Sequence, residues 1–148
     1  VDSVVQERKN RKLDGMFLNI AKEIATMSHC QRAKVGALLV KDSNIISFGY
    51  NGMPTGMNNC CEELNETGEL VTKFQVIHAE SNALLKAAKM GVSTIGATMY
   101  CTLSPCRDCS KLIMQSGVKR VVYLDLFNRD QGSVEFLSKF IKVEKYEY

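Results

Sequence analysis

His78-Ala79-Glu80 and, further along, Pro105-Cys106-Arg107-Asp108-Cys109 are residue types that bind a metal ion and put it to use. One imidazole and two thiolates make three ligands for a tetrahedral zinc. Three protein ligands leave one position for solvent, which separates a catalytic site from a closed structural one. Cys106 and Cys109 fall on one side of a first helical turn, where the positive end of the helix dipole favours the thiolate that zinc requires. His78 and Glu80 open another helix. Side chains there tilt back past the N-terminus, so both can reach a point beyond it. The pattern predicts two helix starts aimed at one metal, with water activated at neutral pH and the Glu80 carboxylate beside it as general acid and base. A structural zinc closed by Cys60, Cys61 or Cys101 would leave Glu80 without a role. A redox dithiol would leave His78-Ala79-Glu80 unexplained.

The elements that must hold these residues are legible in the hydrophobic pattern. The catalytic helix spans residues 78–90 and stops at Gly91. A strand over residues 99–103 leads into the cysteine helix, for which Ser104 is the expected cap and Pro105 the first residue. That helix ends near Gly117 and is followed by a strand at residues 121–124. A last helix over 136–141 precedes a short strand-like end. Upstream, residues 35–40 and 45–50 are β-rich runs joined by Lys41-Asp42-Ser43-Asn44, a hairpin. Met16, Phe17, Ile20, Ile24 and Met27 recur at helical spacing behind Asp14, the expected cap. Residues 51–68, rich in Gly and Asn, read mostly as loop, and residues 1–13 as a loose polar arm. Strand-helix alternation in the second half implies parallel pairing. The expected fold class is therefore α/β, a mixed five-stranded sheet with an antiparallel first hairpin and parallel later strands. Cys101 alternates with Met99 and Leu103 and belongs to the core.

With 148 residues, 45% hydrophobic and 24% charged, the chain suits one globular domain, residues 1–148. No apolar run reaches the roughly 18 residues of a membrane span and no export signal opens the chain, so a cytoplasmic, reducing setting is expected, with the six cysteines as ligands or core thiols. A dispersed net charge of +3 and the absence of Trp argue against nucleic acid as partner.

Several stretches carry a family resemblance: Lys34-Val35-Gly36-Ala37, Gly49-Tyr50-Asn51-Gly52-Met53-Pro54, Asn59-Cys60-Cys61, Ile77-His78-Ala79-Glu80-Ser81-Asn82-Ala83, and Thr102 through Lys111. Gly96-Ala97-Thr98-Met99-Tyr100 and Gln115-Ser116-Gly117-Val118-Lys119 extend it, and together they cover most of residues 28–125. In these the sequence resembles the zinc-dependent cytidine deaminase superfamily, and through the Gly-Tyr-Asn-Gly-x-Pro loop its deoxycytidylate (dCMP) deaminases, virus-encoded ones included. The resemblance implies a three-layer α/β/α fold. It implies hydrolysis of dCMP to dUMP and ammonia, supplying dUMP for thymidylate synthesis in the cytoplasm, the host's if the source is viral. His78, Cys106 and Cys109 would bind one Zn2+ per subunit and Glu80 would move the protons. Asn51 would hold the deoxyribose, while Ala79, Ser104 and Pro105 would meet the base. It further implies a homo-hexamer activated by dCTP, with Mg2+ on the triphosphate, and inhibited by dTTP. Gly49, Tyr50 and Gly52 would form that effector site with Lys34. Some viral relatives carry a second, structural zinc, for which Cys30 and Cys60 match two ligands; Val76 stands where a Glu would be, so one zinc is expected. A second site would have to draw on His29, Cys30, Cys60 and Cys61. Two other functions compete: deamination of a base in tRNA or single-stranded DNA, and nucleotide sensing without turnover.

Overall fold

The computed structural model describes residues 2–127 and 132–148. Its strands are central because they are apolar on both faces. Along β1 (Gly36–Lys41), Ala37 and Leu39 point to one side, and Leu38 and Val40 to the other. β5 (Thr98–Leu103) and β6 (Arg120–Asp125) repeat this: Met99, Cys101, Val121 and Tyr123 face one layer, Tyr100 and Val122 the opposite one. Strands buried on both sides read as near-continuous apolar runs and need helices over each face. β2 (Asn44–Tyr50) and β7 (Lys142–Lys145) complete a five-stranded sheet in the order β2-β1-β5-β6-β7. β1 is antiparallel to both β2 and β5, whereas β5, β6 and β7 run parallel. The β1–β2 turn has positive φ at Asp42 and Ser43, the geometry that a two-residue hairpin loop demands.

One face is covered by α1 (Ser3–Ala25), which lays Phe17 and Leu18 on Leu38, Tyr100 and Val122. The other carries α2 (Ala79–Lys89), α3 (Arg107–Gln115) and α4 (Ser133–Ser138). Ala79, Ala83 and Ala87 form the fully buried stripe of α2, and their small size lets it lie close to the sheet. Gly49 completes the approach: a Cβ there would stand 2.5 Å from the Ala79 carbonyl oxygen and the Ala83 nitrogen. The result is the expected three-layer α/β/α arrangement.

Three local expectations need correcting. Residues 3–13 are helical rather than a loose arm, because α1 is capped by Asp2, whose carboxylate accepts from the Val4 N–H at 2.9 Å. Asp14 is no cap. It shares the buried face of α1 with Phe17 and Leu18, and its carboxylate meets the Arg120 guanidinium at 2.6 Å and the Tyr100 hydroxyl at 2.6 Å. The stretch expected as loop contains β3 (Glu62–Leu64), which pairs in antiparallel fashion with β4 (Leu70–Thr72). Their turn is organised by Asn65 Oδ1, which accepts from the N–H groups of Thr67 and Glu69.

Among the described residues no helix is long and apolar enough to cross a membrane. The expectation that all cysteines stay thiols fails for two of them: Cys30 and Cys61 are joined in a disulfide. This takes both out of any further metal site. Cys101 is buried in β5 as expected.

Candidate functional site

The site lies where α2 and α3 begin. His78 is the N-cap residue of α2, in extended backbone geometry, and Cys106 holds the same position on α3. The expected cap, Ser104, instead accepts a hydrogen bond from the Phe127 N–H at 2.7 Å, and Pro105 is buried ahead of the helix rather than within it. Its carbonyl accepts from the Ser133 hydroxyl. Shifting the cap to Cys106 brings its sulfur to the Cys109 N–H at 3.5 Å, so both sulfurs sit at the positive end of α3.

His78 Nδ1 stands 3.3 Å from Cys106 Sγ and 3.5 Å from Cys109 Sγ. All three ligand atoms fall within 4.8 Å of one another, and no other such group occurs among the described residues. Ligand bonds of about 2.0–2.3 Å in a tetrahedron separate ligand atoms by roughly 3.6 Å, so the residues fit a zinc ion. The Cys106 thiol is pulled down to about 4, by the hydrogen bond from Cys109 first, against burial and with help from His78. The same bond and burial raise the Cys109 thiol. His78 is raised by its hydrogen bond to Cys106, against burial.

Glu80, in the first turn of α2, is only 4% exposed. Burial pushes its carboxyl up to about 7, against the lowering effect of the His78 charge. Such a group exchanges protons readily near neutral pH, as a general acid and base must. His78, Glu80 and Cys106 line a cavity of about 760 Å³.

Of the other residues singled out in the sequence, Asn51, Ala79 and Ser104 line this cavity. Asn51 is also occupied structurally: its Oδ1 accepts from the Val35 N–H at 2.9 Å and its Nδ2 donates to the Ala33 carbonyl at 2.8 Å. Lys34, Gly49, Tyr50 and Gly52 are not in the cavity wall. Gly49 packs on α2, the Tyr50 carbonyl accepts from Asn82, and Gly52 pairs with Ile77 in an isolated bridge. Lys34 is exposed. The cavity also includes residues that sequence reasoning passed over, chiefly Arg32, Glu62 and Thr72. No local signal marks them, because residues 32 and 62 come together only through the tertiary fold.

The chain is similar to known proteins in sequence and in fold. The sequence model of the family described as "Cytidine and deoxycytidylate deaminase zinc-binding region" matches residues 11–125. Deoxycytidylate deaminase of Enterobacteria phage T4 is 38% identical over 77% of this chain and 78% of its own length. The Schizosaccharomyces pombe deoxycytidylate deaminase is 36% identical over 84% of this chain, which spans only 40% of that protein. The crystal structure of dCMP deaminase from the cyanophage S-TIM5, in complex with dCMP and dUMP, superposes with a TM-score of 0.83 at 40% identity. It covers 90% of this chain and 96% of that one.

Proposed function

Because the chain belongs to the cytidine and deoxycytidylate deaminase zinc-binding family, we propose that it hydrolyses dCMP to dUMP and ammonia. The observation that carries this reading is the convergence of His78, Cys106 and Cys109, with His78 and Cys106 sharing a cavity wall with the buried Glu80. The choice of dCMP is supported by relatives of that name and by the dCMP- and dUMP-bound cyanophage enzyme.

His78, Cys106 and Cys109 would hold zinc, which supplies the Lewis acidity that makes water a nucleophile at neutral pH. The chain's own residues do the rest. Glu80 takes the proton that water gives up as its oxygen bonds to C4 of the cytosine, and passes it to N3. The hydroxyl now on C4 gives its own proton through the same carboxylate to the exocyclic amine, the C4–N bond breaks as the C4 carbonyl forms, and ammonia leaves. Burial in the first turn of α2 raises the Glu80 carboxyl, which suits a group that must both take up and give back a proton. The Ala79 backbone, Ser104 and Pro105 stand near the metal ligands in sequence and would orient the base, and Asn51 would flank the sugar.

The proposal extends to control and assembly: a hexamer activated by dCTP with Mg2+, inhibited by dTTP, and working in the cytoplasm. Lys34 and the Gly49-Tyr50-Gly52 segment would carry the effector. Exposed Phe48, Leu85 and Met90 on β2 and at the end of α2 support burial against other subunits. The test is ammonia release from dCMP, deoxycytidine, dCTP and a short cytosine oligonucleotide, each with and without dCTP and dTTP, with light scattering on the same samples. Turnover of dCMP, raised by dCTP and lowered by dTTP, is expected. Turnover of the oligonucleotide alone would overturn the reading, and zinc binding without any ammonia would make the protein a sensor.

A further inference from the structure

The segment between α1 and β1 has no regular structure, yet it is tied down on both sides of Arg32. Upstream, the Ser28 hydroxyl donates to the Asn51 carbonyl at 2.8 Å, and Cys30 is bonded to Cys61. Downstream, Asn51 grips the backbone of Ala33 and Val35. At Arg32 itself, Glu62 Oε2 accepts from the N–H groups of Gln31 and Arg32, at 2.9 and 3.2 Å. Glu62 is a buried carboxylate, 7% exposed, whose charge is spent on backbone amides. The Arg32 guanidinium has only the Thr72 hydroxyl, at 3.1 Å, and no carboxylate within 4.0 Å among the described residues.

Arg32, an exposed cation on an anchored stretch of backbone, thus stands in the wall of the cavity that contains His78 and Glu80. Long, flexible side chains ordinarily lose entropy when they bind an anion; here the backbone beneath the side chain is already immobilised. The planar guanidinium suits two oxygens of a phosphate, and Asn51 and Ala33 lie in the same wall. Resting on the dCMP reading above, we propose that Arg32 binds the 5′-phosphate and makes the site selective for a mononucleotide over a nucleoside. Glu62 is its positioning residue and acts only through the Gln31–Arg32 backbone. Arg107 lines the cavity too, between Cys106 and Cys109 in the sequence, and is the rival that the experiment must separate from Arg32.

The experiment compares the ratio of kcat/KM for dCMP over deoxycytidine in the wild type, R32A, R32K, E62Q and R107A, together with calorimetric binding of dUMP and deoxyuridine. A charge-assisted hydrogen-bonded contact accounts for about 10- to 100-fold in affinity. R32A is expected to cut the ratio by about that factor through KM, R32K to recover part of it, and E62Q to shift KM in the same direction by severalfold. In R32A, dUMP should lose about the same factor in affinity, narrowing its advantage over deoxyuridine. An R32A protein that keeps its phosphate preference, or that weakens dCMP and deoxycytidine equally, overturns the inference and leaves the dCMP activity standing. Collapse of the ratio in R107A alone does the same. Wild-type protein that binds dUMP no better than deoxyuridine overturns both.

Discussion

Glu80 does its work because of where it stands. Placed in water, the same carboxylate would be ionised throughout the neutral range; buried in the first turn of α2, it is pushed up to about 7. Glu80→Gln preserves shape and hydrogen-bonding capacity but removes the ability to take up and release a proton. Ammonia release from dCMP should therefore fall by ~10²–10⁴, while zinc content by atomic absorption and the unfolding midpoint stay near wild type. A variant retaining a tenth of the rate would place the proton relay elsewhere. On the far side of the sheet, Glu144 is subject to the opposite balance. Burial raises it, but hydrogen bonds and charge from Arg120 and then Lys142 hold it below the ordinary 4.5. A depressed carboxylate contributes stability above its unfolded value and loses it as pH falls through the folded value. The thermal midpoint of the wild type should thus drop on acidification below about pH 4.5, and Glu144→Gln should flatten part of that slope.

The close packing of β2 on α2 depends on a missing side chain. Gly49→Ala would drive a methyl group into the backbone of α2 at Ala79 and Ala83. The strain expected is about 1–3 kcal/mol, readable in urea unfolding, with a loss of turnover because His78 and Glu80 ride on the same helix. This also shows what was legible in the sequence. The starts of α2 and α3 could be read because their ligand types sit at fixed local spacing, and β1, β5 and β6 because two-sided burial leaves unbroken apolar runs. Asp14 was misread because a carboxylate ahead of a helical pattern looks alike whether it caps a helix or pairs with a distant arginine. β3 and β4, three residues each, are too short to show a period. Arg32 and Glu62 meet only through tertiary contact, which no local pattern records.

The Cys30–Cys61 bond spans 31 residues and joins the α1–β1 segment to the residue just ahead of β3. In a chain-entropy treatment, a closed loop of that length stabilises by about 3–4 kcal/mol relative to the open chain. Dithiothreitol, or Cys61→Ser, should lower the unfolding free energy by up to that amount and loosen the wall that carries Arg32. Denaturant curves with and without reductant measure it. The antiparallel pairing of β1 with β5 sets a polarity for the entire architecture. Ala37 lies opposite Cys101, and Val40 opposite Thr98, so the Asp42–Ser43 turn emerges past the start of β5, while His78 and the cysteines gather past its end. That tip, an exposed bend at the end of its own hairpin, is a natural splice point. A short peptide epitope or a fluorophore-bearing insert grafted between Asp42 and Ser43 should leave dCMP turnover intact, offering a handle for tethering the protein to a surface without crowding its mouth.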